Sequence, residues 1–220
     1  MKNKILIWIT LAIALVAVIV VIFLNQSQVD VEIAEEHQQT PSIEGQPILG
    51  EADAPVTVIE FGDYKCPSCK AWDETVFPLL KEEYIDTGIV NFVHINTPFH
   101  GEESILAALA SESMWHQNED DFWEYHKEIY QNQPPTQQHD EPWITQEKLI
   151  DIASSINSDI NLEQLANDIE NESYMDNVLI DMELVEEFGV TQTPTIMVNH
   201  YQLNNPFEYE HLVRLIEMEE

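Results

Sequence analysis

Two residue classes are scarce in this chain, and each scarcity closes off functions. Lysine and arginine together number 8 against 41 aspartates and glutamates, a formal charge of −33. A field this negative repels phosphates and argues against nucleic-acid binding. The acids run along the whole domain instead of gathering in one tail, which reads as a solvated surface suited to high salt or alkaline surroundings. Cysteines number only 2, and no second CxxC and no HxxxH accompanies them. A closed zinc site needs four ligands, and no such pair supplies the other two, which argues against the sulfurs being half of one. His94, His100, His116, His126, His139 and His211 stand at no ligand spacing. No bound transition metal and no cofactor is expected, and a hard cation such as Ca²⁺ on the acidic surface is left open by the sequence. No internal repeat is visible.

Charge is also missing from residues 5–24, a run of 20 that follows Lys2 and Lys4. Twenty helical residues at about 1.5 Å each span a hydrocarbon core of about 30 Å. A cleaved signal would have a shorter apolar core, about 7–15 residues, and a small-residue A-x-A site. Asn25-Gln-Ser-Gln-Val-Asp30 offers no such site, and no cysteine stands there for lipid attachment. Residues 1–24 therefore read as a cytoplasmic N-terminus and an uncleaved membrane anchor. The two lysines hold the N-terminus inside, which places everything after residue 25 outside. That outer part carries six cations against 41 acids, a net of −35.

Residues 25–47 are polar and acidic and read as a tether. Residues 48–220 are ample for one domain with a sizeable core. Val56-Thr-Val-Ile-Glu-Phe61 predicts a strand buried on both faces. A helix follows from the cysteines to about Glu83, kinked at Pro78, and Ile89–Asn96 reads as a second strand. This β–α–β order implies parallel pairing. From about 102 to 188 the pattern is helical, with pieces at 102–117, 119–131, 145–154, 161–170 and 172–188 and a loop over 131–140. Gly189 is placed as the C′ residue of the last of these helices. Strands return at Thr195–Val198 and 201–203, and Asn205-Pro206 is expected to open a final helix through about Glu217. The fold class is α/β, with an all-helical insertion between βαβ and ββα halves.

Cys66-Pro67-Ser68-Cys69 follows the first strand directly. Two cysteines at this spacing suit a redox dithiol, in which one sulfur attacks and the other resolves the mixed disulfide. At a helix N-terminus Cys66 would meet unpaired N–H groups and the positive end of the dipole, which lower a thiol pKa. Lys65 adds a nearby cation. Cys69, one turn inside the helix, should be shielded. Glu60 interrupts the apolar strand. Either it faces solvent at the strand end, or it lies beneath the dithiol, desolvated, and relays protons. Thr193-Pro194-Thr195 opens a strand, because proline cannot donate in mid-strand.

Ile48–Cys69, with its Val-Thr-Val-Ile-Glu-Phe-Gly-Asp-Tyr-Lys-Cys-Pro-Ser-Cys core, together with Gly189-Val-Thr-Gln-Thr-Pro-Thr195, resembles the DsbA-type thiol:disulfide oxidoreductases. The likeness is greatest to their membrane-anchored, BdbD-like branch in Gram-positive bacteria. It covers roughly residues 47–217 and implies a thioredoxin fold with a helical insertion. It also implies a cis peptide at Thr193–Pro194 that faces the cysteines and holds substrate backbone. By the same resemblance Cys66 is the nucleophile, Cys69 the resolving thiol, Glu60 the buried acid, and Pro67 and Ser68 the active-site dipeptide. That dipeptide lacks the histidine of the best-known DsbA enzymes.

The expected function is introduction of disulfides into exported proteins, with their thiols as substrates and a quinone-linked membrane protein as the reoxidant. A reductase or isomerase could use the same residues. An anchored binding or holdase module with a structural disulfide is the alternative of another class, and it would still work with Cys66→Ser.

Overall fold

The computed structural model of the chain describes residues 8, 11–20, 33–135, 141–156 and 160–220. Six strands form one mixed sheet: β1 (Ala34–Glu36), β2 (Ile48–Leu49), β3 (Val56–Gly62), β4 (Val90–Asn96), β5 (Thr195–Val198) and β6 (Tyr201–Leu203), in the order β1-β6-β5-β3-β4-β2. The parallel pair is β3–β4, and β5 runs antiparallel to β3 on its other side. The apolar run of β3 thus sits in mid-sheet with both faces covered, as near-continuous burial of Val, Ile and Phe requires.

On one face Val56, Val58, Phe92, Ile196 and Val198 pack with Trp72, Leu80, Leu212 and Leu215. These come from α1 (Pro67–Thr75), α2 (Phe77–Leu80) and the terminal helix α8 (Tyr209–Glu219). The expected helix from the cysteines onward is therefore two pieces, broken at Val76 before Pro78 and ending in a π-helical turn at Lys81–Ile85. On the other face Ile59, Phe61, Val93, Ile95 and Met197 meet Leu184 and Val185 of α7 (Met175–Glu187) and Phe188, its C-cap. Gly189 ends α7 at φ +63°, the left-handed C′ position its sequence predicted.

The helical insertion comprises α3 (Glu102–Gln117), α4 (Glu119–Gln131), α5 (Gln146–Ile156), α6 (Leu162–Glu170) and α7. Its core, with Ala107, Met114, Phe122, Tyr125, Leu149 and Leu165, is continuous with Tyr64, Cys66 and Cys69. The insertion is thus a lid that buries the cysteine end of the sheet. Part of the loop expected over 131–140 lies outside the described residues.

Two expectations shift. The described part of the expected tether, 33–47, is not free: β1 pairs with β6, and Gln46 donates to Asp181 at 2.6 Å. The strand is only three residues long, with Glu35 and Glu36 exposed, so it has no readable periodicity. The last helix begins at Tyr209, later than expected. Asn205 first makes a turn, its Oδ1 accepting from Phe207 N at 3.1 Å, while Pro206 O accepts from Trp72 Nε1 at 3.0 Å. The expected tether before residue 33 and the ends of the expected anchor lie outside the described residues. Residues 11–20, within the expected anchor, are helical. No helix among the described residues is long and apolar enough to cross a membrane.

Candidate active site

Strand β3 ends at Gly62, and Asp63-Tyr64-Lys65 carries the chain to Cys66, the N-cap of α1, with Pro67 as its first residue. Asp63 organises this turn. Its Oδ1 accepts from Lys65 N at 2.8 Å, and its carbonyl accepts from Cys66 N at 2.9 Å. Its Oδ2 accepts from the backbone N–H groups of Phe99 and His100 at 2.9 and 3.1 Å, and contacts His100 Nδ1 at 2.6 Å. That bond is the main reason the His100 pKa is raised. Gln133, at the end of α4, donates to the carbonyls of Tyr64 and Cys66 at 2.8 and 3.2 Å.

Both cysteines are free thiols. Cys66 keeps 6% exposure and Cys69 none, so Cys69 is shielded as expected and Cys66 itself is nearly covered. The Cys66 pKa is lowered to about 6, chiefly by the hydrogen bond from the Cys69 side chain. Thr193 and the backbone of Cys69 and Ser68 add to this, against burial. The helix terminus acts here through those backbone groups. Cys69 is pushed the opposite way, well above its ordinary value, by burial first and then by Cys66 and Glu60. Asp63 N donates to Cys69 Sγ at 3.4 Å. Lys65 does not stand free beside the thiol, because it is ion-paired to Glu103.

The Thr193–Pro194 peptide is cis, and Cys66 Sγ donates to the Thr193 carbonyl at 3.3 Å. Residues 127 positions apart thus meet over the dithiol. Glu60 is 1% exposed and does not face solvent. Alternation puts it on the face of Val56 and Val58, which is the α1 side. Its Oε2 contacts His94 Nδ1, its register partner on β4, at 3.2 Å. His126 of α4 lies across His94 with ring centroids 4.6 Å apart, and Tyr64 Oη meets His126 Nδ1 at 3.0 Å. Donor atoms of Glu60, His94 and His126 all fall within 4.8 Å of one another. Sequence reasoning missed this grouping, since 34 residues separate Glu60 from His94. Parallel β3–β4 pairing held the one available clue.

A profile of the family described as Thioredoxin matches residues 42–218. Disulfide bond formation protein D of Bacillus subtilis is 43% identical over 179 residues, covering 81% of this chain and 79% of the relative. Probable disulfide bond formation protein D of Bacillus anthracis is 41% identical over 174 residues, covering 79% and 78%. Oxidised BdbD from Bacillus subtilis superposes with a TM-score of 0.79 at 41% identity, covering 84% of this chain and 98% of that one. DsbA of Chlamydia trachomatis, at 24% identity, covers 78% and 90% with a TM-score of 0.69 and shares the fold. By its profile, its relatives and its superposition, the chain belongs to the thioredoxin family, within the group that contains disulfide bond formation protein D.

Proposed function

We propose that this protein is an extracytoplasmic thiol:disulfide oxidoreductase that introduces disulfides into exported proteins. The observation that carries the reading is the asymmetry of the two sulfurs. Cys66 has a pKa of about 6 at the start of α1, while Cys69 is fully buried with its pKa raised. Such a pair accepts attack at the outer sulfur and favours reduced Cys66 as a thiolate, which makes the disulfide oxidising.

In this reading Cys66 is the nucleophilic sulfur, Cys69 the resolving thiol and Glu60 the buried acid that serves Cys69. Pro67 and Ser68 start α1; Pro67 has no N–H, so the backbone groups that face the thiolate are those of Ser68 and Cys69, without the charge a histidine would bring. Thr193 and Pro194 receive substrate backbone, supported by the 3.3 Å approach of the Thr193 carbonyl to Cys66 Sγ.

The N-terminal segment is the membrane anchor. Leu11, Ile13, Leu15, Val18 and Ile19 are all about half exposed or more along helical residues 11–20, which suits a lipid surround. Reoxidation needs an electron acceptor, and an anchored domain is well placed for a quinone-linked membrane protein.

The full chain expressed in a bacterial host tests the whole reading. It should fractionate with membranes, its N-terminal lysines retained, and oxidise a reduced two-cysteine peptide, an activity lost in Cys66→Ser. Release into the medium trimmed near residues 25–35 would remove the anchor. Undiminished action of Cys66→Ser would turn the assignment to a binding module.

A further inference from the structure

Glu60 and His94 form a closed acid–imidazole pair. Their side chains are 1% and 0% exposed, and they are exact register partners across the parallel β3–β4 pairing. Only one oxygen of the carboxyl is engaged: Oε2 contacts His94 Nδ1 at 3.2 Å. Among the described residues neither Glu60 Oε1 nor His94 Nε2 has a hydrogen-bond partner. Buried polar atoms left this way are costly, so a pair that keeps two of them needs a reason. Gly62 shows how tightly the arrangement is built. A Cβ there would lie 2.6 Å from His94 Cε1 and 3.0 Å from Glu60 Oε1.

We propose that His94 is a positioning residue for disulfide exchange: its Nδ1–H holds Glu60 by Oε2 and leaves Oε1 to pass a proton to and from Cys69. This inference rests on the oxidoreductase reading above. A substrate thiolate attacks Cys66 Sγ, and the Cys66–Cys69 bond breaks with its electron pair going to Cys69. That buried sulfur takes the proton carried on Glu60 Oε1 through one bridging water, since no direct hydrogen bond joins the two groups, and the carboxylate left behind keeps its bond from His94. A second substrate thiolate then attacks the substrate sulfur of the mixed disulfide and releases Cys66 as a thiolate. The substrate is oxidised by two electrons and the enzyme reduced by two. Reoxidation by a membrane electron acceptor returns the Cys69 proton to Glu60.

The geometry explains why histidine serves here. With Nδ1 carrying the proton the ring is a neutral donor, so it holds an ionised Glu60 without adding a buried charge. His126, packed across the His94 ring, has its own pKa lowered well below the ordinary range by burial and then by His94. Other titratable groups also face the pair. Cys69 and Asp73 come from α1, Tyr64 from the turn after β3, and Tyr130 from α4, all sensing Glu60; Asp181 of α7 senses His94. His126 also borders a cavity of about 590 Å³ between α1, α2 and α4, lined there by Asp73 and Lys127.

The test is reduction of the oxidised full-length enzyme by a reduced two-cysteine peptide, timed from pH 5 to 9. His94→Phe fills the space but removes the donor. It should slow the reaction roughly tenfold and move the midpoint of its pH profile, because the carboxyl loses the donor that held it. His94→Asn puts an amide N–H where Nδ1 stood and should keep the rate within about threefold. In a Glu60→Gln background His94→Phe should change nothing further. Equal slowing in both backgrounds, or an unmoved midpoint, would overturn the proposal. So would one zinc ion per chain, retained by the wild type and lost in His94→Asn, since the trio would then be a metal centre. A wild-type chain that oxidises no peptide removes the parent reading instead.

Discussion

Glu60 is a carboxylic acid placed where the strand around it is otherwise apolar, and burial at 1% exposure makes its ionised form expensive. It contributes little to holding the sheet together, because one of its oxygens has no partner among the described residues. Its worth lies in chemistry at Cys69, whose raised pKa makes it a poor leaving group unless a proton arrives with the electrons. Glu60→Gln keeps the acceptor that faces His94 and removes the movable proton. The variant should fold normally, melt at or slightly above the wild type, and turn over more slowly with a flattened profile between pH 6 and 9. Unchanged kinetics across that range, measured with the same peptide, would reduce Glu60 to a structural residue.

Between elements, the insertion is fastened to the sheet by a polar cluster at the end of β4. Asn96 Nδ2 donates to Glu112 of α3 at 2.9 Å and to Asp181 of α7 at 3.0 Å, and Asn96 N also donates to Asp181. Two buried carboxyls thus share one amide. Burial raises the Glu112 pKa to about 8, with Asp181 adding to it, and burial raises Asp181 to about 6. For acids whose folded pKa lies above the unfolded value, the stability they confer is present below about pH 4 and lost as pH rises through 6 and then 8. Glu112→Gln removes that penalty and keeps an acceptor for Asn96. It should match the wild type at pH 4 and exceed it by about 1–3 kcal/mol at pH 8, read as a higher Tm. A difference independent of pH would show that the cluster carries no such strain. None of this was legible in the chain. The helices containing Glu112 and Asp181 were, at close to their observed bounds, because long apolar periodicity survives in sequence. So was β3, because six consecutive residues carried one signal. The partners of Asn96, like His94 and His126 around Glu60, depend on register and helix rotation, which periodicity leaves open. β1 went unread for a simpler reason: only Ala34 of its three residues turns inward.

Over the whole molecule, two opposed terms decide whether the oxidised or the reduced form is the more stable. Closing a four-residue loop stabilises the oxidised form by about 2 kcal/mol on the chain-entropy account. Against it stands the Cys66 thiolate, with a pKa of about 6 in the folded protein. A free thiol titrates near 8.5, so the depressed pKa favours the reduced fold by about 1.4 kcal/mol at pH 7 and about 2.6 at pH 8. That contribution is complete above the unfolded value and lost as pH falls through 6. The reduced protein should therefore melt below the oxidised one at pH 5, draw level near pH 7, and melt higher at pH 8–9. The chain's charge of −33 works against the thiolate from a distance. Salt should weaken that opposition, since 1 M screens beyond about 3 Å while the Cys69 and backbone contacts act at bonding range. Raising salt at pH 8 should then widen the gap in favour of the reduced form. Paired melting curves of the two redox states across pH and salt decide the matter. A gap that narrows with rising pH would mean that the thiolate does not set the balance, and a reduction potential near −270 mV would then place the enzyme with the reductases.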